Sequence, residues 1–255
     1  MSLLQINGLT HYFGGLKAVD DFNLELGEDE VVGLIGPNGA GKTTVFNLVC
    51  GLYKPSEGEI HFNGNDLAGR LPHQITSLGI GRTFQNIRLW NELSVLHNLR
   101  IAHSSQIKYG LLDTFYLSQK LLKDERDTVK AAMELLELFG LRDFAHELPT
   151  NLPYGVQRRV EICRALVMTP RLLLLDEPAA GMNPGEIGEL MDLIRWVKNQ
   201  FDVTIWIIEH QMRVIMGICD RIKVIDFGRT IAEGTPEEIR NNPRVIEAYL
   251  GEEVV

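Results

Sequence analysis

Residues 36–44 read "GPNGAGKTT", between the apolar run "VVGLI" and the helix-compatible stretch "KTTVFNLVCGL". No other stretch limits the fold so strongly. The pattern G-x-x-x-x-G-K-[ST] is met by Gly36, Gly41, Lys42 and Thr43. Its glycines let the backbone wrap so that successive N–H groups point inward, at the start of a helix whose dipole favours anions. Lys42 can reach the β- and γ-phosphates of a nucleotide, and the Thr43 hydroxyl is placed for Mg²⁺. The candidate nucleotide-binding residues are therefore Gly36, Asn38, Gly39, Ala40, Gly41, Lys42, Thr43 and Thr44. The bare pattern arises by chance on the order of once per hundred such chains, and a strand before with a helix after makes it rarer.

An acidic pair supplies the second half. In "RLLLLDEP" four leucines form a buried-type strand, and Asp176 stands at its carboxyl end, where open α/β sheets bind ligands. Asp176 would hold Mg²⁺ through water, and Glu177 is placed to polarise an attacking water as general base. Either acid alone could serve a helix N-terminus, but a pair closing an apolar strand beside a phosphate loop is a poor fit to that role. "VTIWIIEH" repeats the geometry one strand further on, with His210 just past its end. In "RTFQNIRL" Gln85 follows a short strand, where its amide can reach both metal and water. The candidate metal set is Thr43, Gln85 and Asp176, and the catalytic set Lys42, Gln85, Glu177 and His210.

The rest of the chain alternates. "LLQINGLTHYF", "DFNLELGEDEVVGLIG" and "GEIHFNG" read as short N-terminal strands. From about Asn91 to Ala165 the period turns helical, as in "SVLHNLRIAH" and "DERDTVKAAMELLELFGL", with Gly140 as a C-terminal stop. Strands return in "RLLLLDEP", "VTIWIIEH", "RIKVIDFG" and "RTIAEG", with the helical "PGEIGELMDLIRWVKNQ" between the first two. Such alternation implies parallel pairing and a sheet covered on both faces. The expected fold is α/β, one domain over 1–255. A nucleotide-binding core of 1–85 and 161–255 carries a small N-terminal antiparallel β part. An α-helical insertion occupies 86–160.

Charge and hydropathy exclude several classes. A net charge of −9 with pI near 5.3 argues against nucleic acid, which calls for a basic face. No segment approaches the roughly 18 apolar residues of a membrane helix, and "MSLLQINGL" lacks the basic start and cleavage site of a signal peptide. Cys50, Cys163 and Cys219 lie far apart and read as reduced thiols. A cytoplasmic chain that does not itself enter the membrane is expected. "DFG" at Asp226–Gly228 has no H-R-D loop before it and reads as a hairpin turn.

The order of motifs resembles the ATP-binding cassette ATPases from end to end, which implies a P-loop NTPase (RecA-like) core, ATP with Mg²⁺, and hydrolysis. By that resemblance Gln85 is the Q-loop glutamine, His210 the switch histidine and Ala180–Asn183 the D-loop. Tyr154, Gly155, Val156 and Gln157 fall in the signature, at the head of a helix running from about Val156. An aromatic before glycine near the N-terminus stacks on adenine in this family; Phe13 matches, with Tyr12 as the alternative. "YFGGLKAVD", "IGRTFQNIRLWNELSVLHNL", "LPYGVQRRVEICRAL", "DEPAAGMNP" and "GTPEEIRNNPRVIEAYLGE" are similar to the LivG-type ATPases of branched-chain amino acid importers. The closing "VIEAYLGE" also resembles the ATPases of lipopolysaccharide exporters and urea importers.

That family implies partners. Its ATPases act in pairs on the cytoplasmic face of the inner membrane, beneath permease subunits fed by a periplasmic binding protein. Each ATP is sandwiched between one subunit's phosphate loop and the other's signature. Ile87, Leu89 and Trp90, just after Gln85, are candidates either for the permease-facing surface or for the insertion's own core. The signature itself departs from L-S-G-G-Q: Pro153 offers neither hydroxyl nor N–H, and Tyr154 carries a ring where the usual serine–glycine run has none. Asn183 stands where an aspartate is usual. With its own phosphate, metal and base residues complete, the chain is expected in a heterodimer with a second, related ATPase.

Overall fold

Strand β1 (Leu4–Phe13) and strand β2 (Leu16–Leu26) carry buried residues at alternating positions and pair antiparallel, as half-buried strands should. The computed structural model describes residues 2–104 and 119–250. Residues 105–118 of the expected helical stretch, and the last two letters of "VIEAYLGE", lie outside them. β1 also pairs with β4 (Glu57–Phe62), and β4 with β5 (Asn65–Asp66), giving a four-stranded antiparallel sheet ordered β2-β1-β4-β5.

A second sheet holds the site. Strands β3 (Val31–Ile35), β7 (Leu172–Asp176) and β8 (Thr204–Ile208) are buried at every position. Such runs mark parallel strands covered on both faces. With β6 (Ile80–Arg82), β9 (Arg221–Asp226) and β10 (Arg229–Gly234) they form six strands ordered β10-β9-β3-β8-β7-β6. All neighbours are parallel except β9 and β10, a hairpin turning at Phe227 and Gly228. The register pairs Leu34 with Ile208 and Ile208 with Asp176. The carboxyl ends of β3, β8 and β7 therefore stand level, and Gly36, His210 and Glu177 leave the sheet at one edge.

Helix α1 (Lys42–Val49) follows β3 through the glycine loop. Its Phe46 meets the fully buried Trp206 of β8 with ring centroids 4.8 Å apart, and Trp206 stacks on Phe22 of β2 at 6.4 Å. These rings tie the loop's helix to both sheets. Short helix α2 (Pro72–Ser77) precedes β6.

Residues 86–170 form a unit distinct from 2–85 with 171–250. It contains α3 (Val95–Ser104), α4 (Gln119–Leu138) and α5 (Tyr154–Leu166), with 3₁₀ turns at Arg142–Phe144 and Pro149–Asn151. Ala132, Leu135, Leu136 and Phe139 are buried along α4 and its end, the helical stripe the periodicity predicts. Gly140 ends that helix at φ +64°, with Leu141 N–H on Leu136 C=O and Gly140 N–H on Glu137 C=O, a Schellman closure. Helix α5 runs unbroken through residue 160.

In the larger unit α6 (Pro184–Phe201) and α7 (Met212–Ile218) flank β8, and α8 (Pro236–Arg240) and α9 (Pro243–Leu250) close the described chain.

Candidate functional site

The glycine loop is shaped by close backbone approaches. A Cβ on Gly36 would lie 1.9 Å from the Ile225 carbonyl oxygen, and one on Gly41, at φ +102°, 2.5 Å from that of Ala18. Only glycine fits either place. Gly228 N–H donates to Ala40 C=O at 2.9 Å, and Gly228 C=O accepts from Asp20 N–H at 2.9 Å, so the β9–β10 turn braces the loop from behind. Lys42 is buried, and its ammonium donates to the carbonyls of Gly36 and Pro37 at 2.6 and 2.7 Å. No side chain caps α1 at Gly41, and the first N–H groups of a helix lack intrahelical partners. A cation and an uncapped helix start thus meet in one small loop, which suits an anion. Asn38, Gly39 and Thr43 are exposed, and Thr44 is half-buried.

The acids sit across the sheet edge. Asp176 is buried, and its Oδ2 accepts from Arg82 Nη2 at 2.8 Å. Arg82 Nη1 donates to Asn47 of α1 at 2.8 Å, and its guanidinium lies 4.9 Å from the Phe84 ring centroid and 5.8 Å from that of Phe46. Asp176 Oδ1 is left for another partner. The Asp176 carboxylate and the hydroxyl of the exposed Thr43 are hard-oxygen donors, the kind Mg²⁺ takes together with phosphate oxygens and water. Glu177 holds φ +45°, a strained region for a side chain of this type. Its N–H donates to Ile208 C=O at 2.9 Å. Gln85 Nε2 donates to Glu177 Oε2 at 2.7 Å, and His210 Nδ1 lies 3.6 Å from the same oxygen. Glu209, wholly buried, takes the N–H groups of Ala179, His210 and Gln211 at 2.7, 3.1 and 3.2 Å. Burial raises its pKa against the pull of those donors. This carboxylate holds the turns carrying Glu177 and His210.

At the end of β1, Phe13 is 43% exposed. It meets His11 and Tyr53 edge-on at 4.7 and 5.2 Å, and Tyr53 stacks on His11 at 5.5 Å. Tyr12 takes Lys17 over its ring at 5.4 Å instead. Phe13 thus belongs to an open aromatic group that includes Tyr53.

The stretch 154–157 begins α5 two residues earlier than the expected Val156, with Pro153 as N-cap at φ −55°, ψ 150°. Proline's fixed φ and missing N–H suit a helix entry. Gly155 therefore lies within the first helical turn. Tyr154 is 41% exposed, and its hydroxyl accepts from Arg158 Nη2 at 3.1 Å. Gln157 turns back to donate to Leu152 C=O at 2.8 Å. Asn183 caps α6: its Oδ1 accepts from Gly185 and Glu186 N–H, while Glu186 returns to Asn183 N–H.

Residues 19–180 match the family described as "ABC transporter". The chain belongs to the ABC transporter ATPases. Residues 229–255 of this ABC ATPase also match the family described as "Branched-chain amino acid ATP-binding cassette transporter". It is 49% identical, over 98% of both chains, to the high-affinity branched-chain amino acid transport ATP-binding protein LivG of Salmonella typhimurium. Among solved structures it is similar to the ADP conformation of an ATP-binding cassette of an ABC transporter, with TM-score 0.86, 31% identity and coverage of 98% and 99%. A dimeric post-hydrolysis cassette bound to ADP and Pi matches with TM-score 0.75, 25% identity and coverage of 91% and 98%. ATP hydrolysis in a transporter is accordingly the enzyme class of this chain. No helix among the described residues is long and apolar enough to cross a membrane.

Lys42, Gln85, Asp176, Glu177 and His210 of this ABC ATPase thus all lie in the unit built on the six-stranded sheet, and residues 154–157 in the helical one. Arg82, Tyr53 and Glu209 escaped the sequence reading. Arg82 lies three residues before Gln85 in "GRTFQ" and Glu209 adjoins His210 in "IIEH", but only the fold shows what they hold.

Proposed function

We propose that this chain is the ATP-hydrolysing motor of an importer of branched-chain amino acids. It would act on the cytoplasmic face of the membrane beneath permease subunits served by a binding protein. The observation that carries the reading is the meeting of Gln85 and His210 at one oxygen of Glu177, beside a braced phosphate loop. Glu177, oriented by Gln85, takes the proton of the attacking water as general base. Lys42 exchanges its contacts with Gly36 and Pro37 for the β- and γ-phosphates, and the leading N–H groups of α1 bind the same anion. His210, 3.6 Å from the same Glu177 Oε2, limits how that carboxylate can turn. Phe13 offers an exposed ring for adenine. Asp176, Thr43 and Gln85 would hold Mg²⁺, which when bound supplies charge neutralisation at the phosphates.

The signature of the sandwich is Tyr154, Gly155, Val156 and Gln157, facing ATP held by a second, related ATPase. Pro153 and Tyr154 supply no serine hydroxyl and no second glycine amide, so the pair is a heterodimer with unequal sites. The LivG similarity and the match at 229–255 support the branched-chain substrate. Reconstitution with its co-purified permease in vesicles tests this: leucine-loaded binding protein should stimulate ATP turnover. Stimulation by urea or by lipopolysaccharide in its place would move the chain to another transporter class.

A further inference from the structure

Helix α5 holds on to the segment that follows Gln85. Arg88, three residues on, is gripped at both ends of its backbone. Its N–H donates to Glu161 Oε1 at 3.2 Å, and its carbonyl accepts from Arg164 Nη1. The Arg164 guanidinium also lies over the Trp90 ring, 5.3 Å from its centroid. Glu161 gives its second oxygen to Arg158 Nη1 at 2.7 Å, and Arg158 reaches the Tyr154 hydroxyl. Past Trp90 the loop is fixed by the buried Asn98. Its Oδ1 accepts from Trp90 N–H at 2.8 Å, and its amide donates to the carbonyls of Trp90, Leu93 and Ser94, each at 3.1 Å.

A surface loop ordinarily leaves its backbone polar groups to water. Here side chains take them: the buried Glu161 and Asn98 and the half-buried Arg164, two of the three charged. The Arg158–Glu161 pair is wholly buried, and such a pair carries a desolvation penalty that apolar residues would avoid. What it provides here is geometry: one continuous set of hydrogen bonds from Arg88 to Tyr154. We propose that Glu161 and Arg164 are positioning residues that lock segment 86–94 to the signature helix, so that displacement of the segment by a membrane partner is delivered to Tyr154 and Gly155. The proposal rests on reading 154–157 as the signature and 87–90 as permease-facing.

Arg164 is the residue to change, because Glu161→Gln would strand the buried Arg158 charge and endanger folding. The assay uses the intact transporter in lipid vesicles with its binding protein. It reads amide hydrogen exchange over 86–94 and ATP turnover with and without loaded binding protein. Arg164→Met is expected to speed exchange at 88–93 about tenfold while leaving unstimulated turnover as it was. Stimulation should fall by between about threefold and thirtyfold. Arg164→Lys, which keeps a donor but not the planar fork, should restore part of the stimulation. Faster exchange with normal stimulation would make the lock merely structural, and unchanged exchange would mean it does not hold the segment; either overturns the proposal. Gly155→Asp in the same complex tests the underlying reading separately. Unaltered turnover there would refute the signature assignment, whatever Arg164→Met does.

Discussion

Gln85 donates to Glu177 at 2.7 Å, and the oxygen that accepts is also the one nearest His210. A residue on the segment leading out of β6 thus sets the orientation of the acid at the end of β7. In the proposed mechanism, movement of that segment would change the direction in which Glu177 takes a proton. The coupling between permease and chemistry can run through this bond.

Glu177→Gln should keep ATP affinity and lower turnover by roughly 10² to 10⁴, the usual contribution of a general base. Gln at 177 can still accept from Gln85, so the loop geometry is retained and the loss reports proton transfer. Nucleotide titration alongside steady-state turnover in the assembled complex reads both.

Lys42→Ala should weaken nucleotide binding as well as turnover. Lys42 is the only side-chain cation within Gly36–Thr44, so its loss removes ground-state charge neutralisation. Calorimetry with ATP gives the affinity directly, and equal affinity would move the phosphate site elsewhere.

Arg82→Met strands Asp176. Both side chains of the pair are nearly inaccessible, at 8% and 4%, and removing one partner of a buried pair costs about 3–5 kcal/mol. Chemical denaturation should show a loss of that order. Arg82→Lys should recover only part of it, because an ammonium cannot serve Asn47 and Asp176 with one planar fork.

Glu209 predicts a pH dependence. Burial raises its pKa above the ordinary 4.5, so folding favours the protonated form relative to the unfolded chain. That contribution is fully present below about pH 4.5 and is lost as pH rises through the raised value. Each ionising group adds a slope of at most about 1.4 kcal/mol per pH unit. Glu209→Gln should flatten the stability profile just above pH 4.5, though it leaves the His210 and Gln211 N–H groups opposite an amide and lowers the whole curve. Denaturation midpoints from pH 5 to 8 in both proteins give the two slopes.

The phosphate loop, the acidic pair, the parallel core and the β9–β10 hairpin were legible because each is a local pattern of period, glycine or charge. Arg82 was not, since its partner lies 94 positions away and no spacing announces it. Arg158 and Glu161, three apart on a helix, have the spacing of an ordinary surface pair; their burial is a property of the packed unit. The sequence around Asn183 carries a structural signal of its own. Asn-Pro-Gly-Glu is a capping box with proline at the first helical position, and it gives Asn183 a structural duty independent of any departure from aspartate. The start of α5 at Tyr154, two residues before the expected Val156, follows from Pro153, whose fixed φ suits the position just before a helix.

The central claim is that this chain hydrolyses ATP with its own loop and base while lending a weakened signature to a partner's site. Comparing Glu177→Gln in this chain with the equivalent change in the partner ATPase, each in the intact transporter, tests it most directly. The account predicts that the change here removes most of the turnover and the partner's change removes little. A partner change that costs as much or more would contradict it and make Pro153 and Tyr154 a tolerated variation.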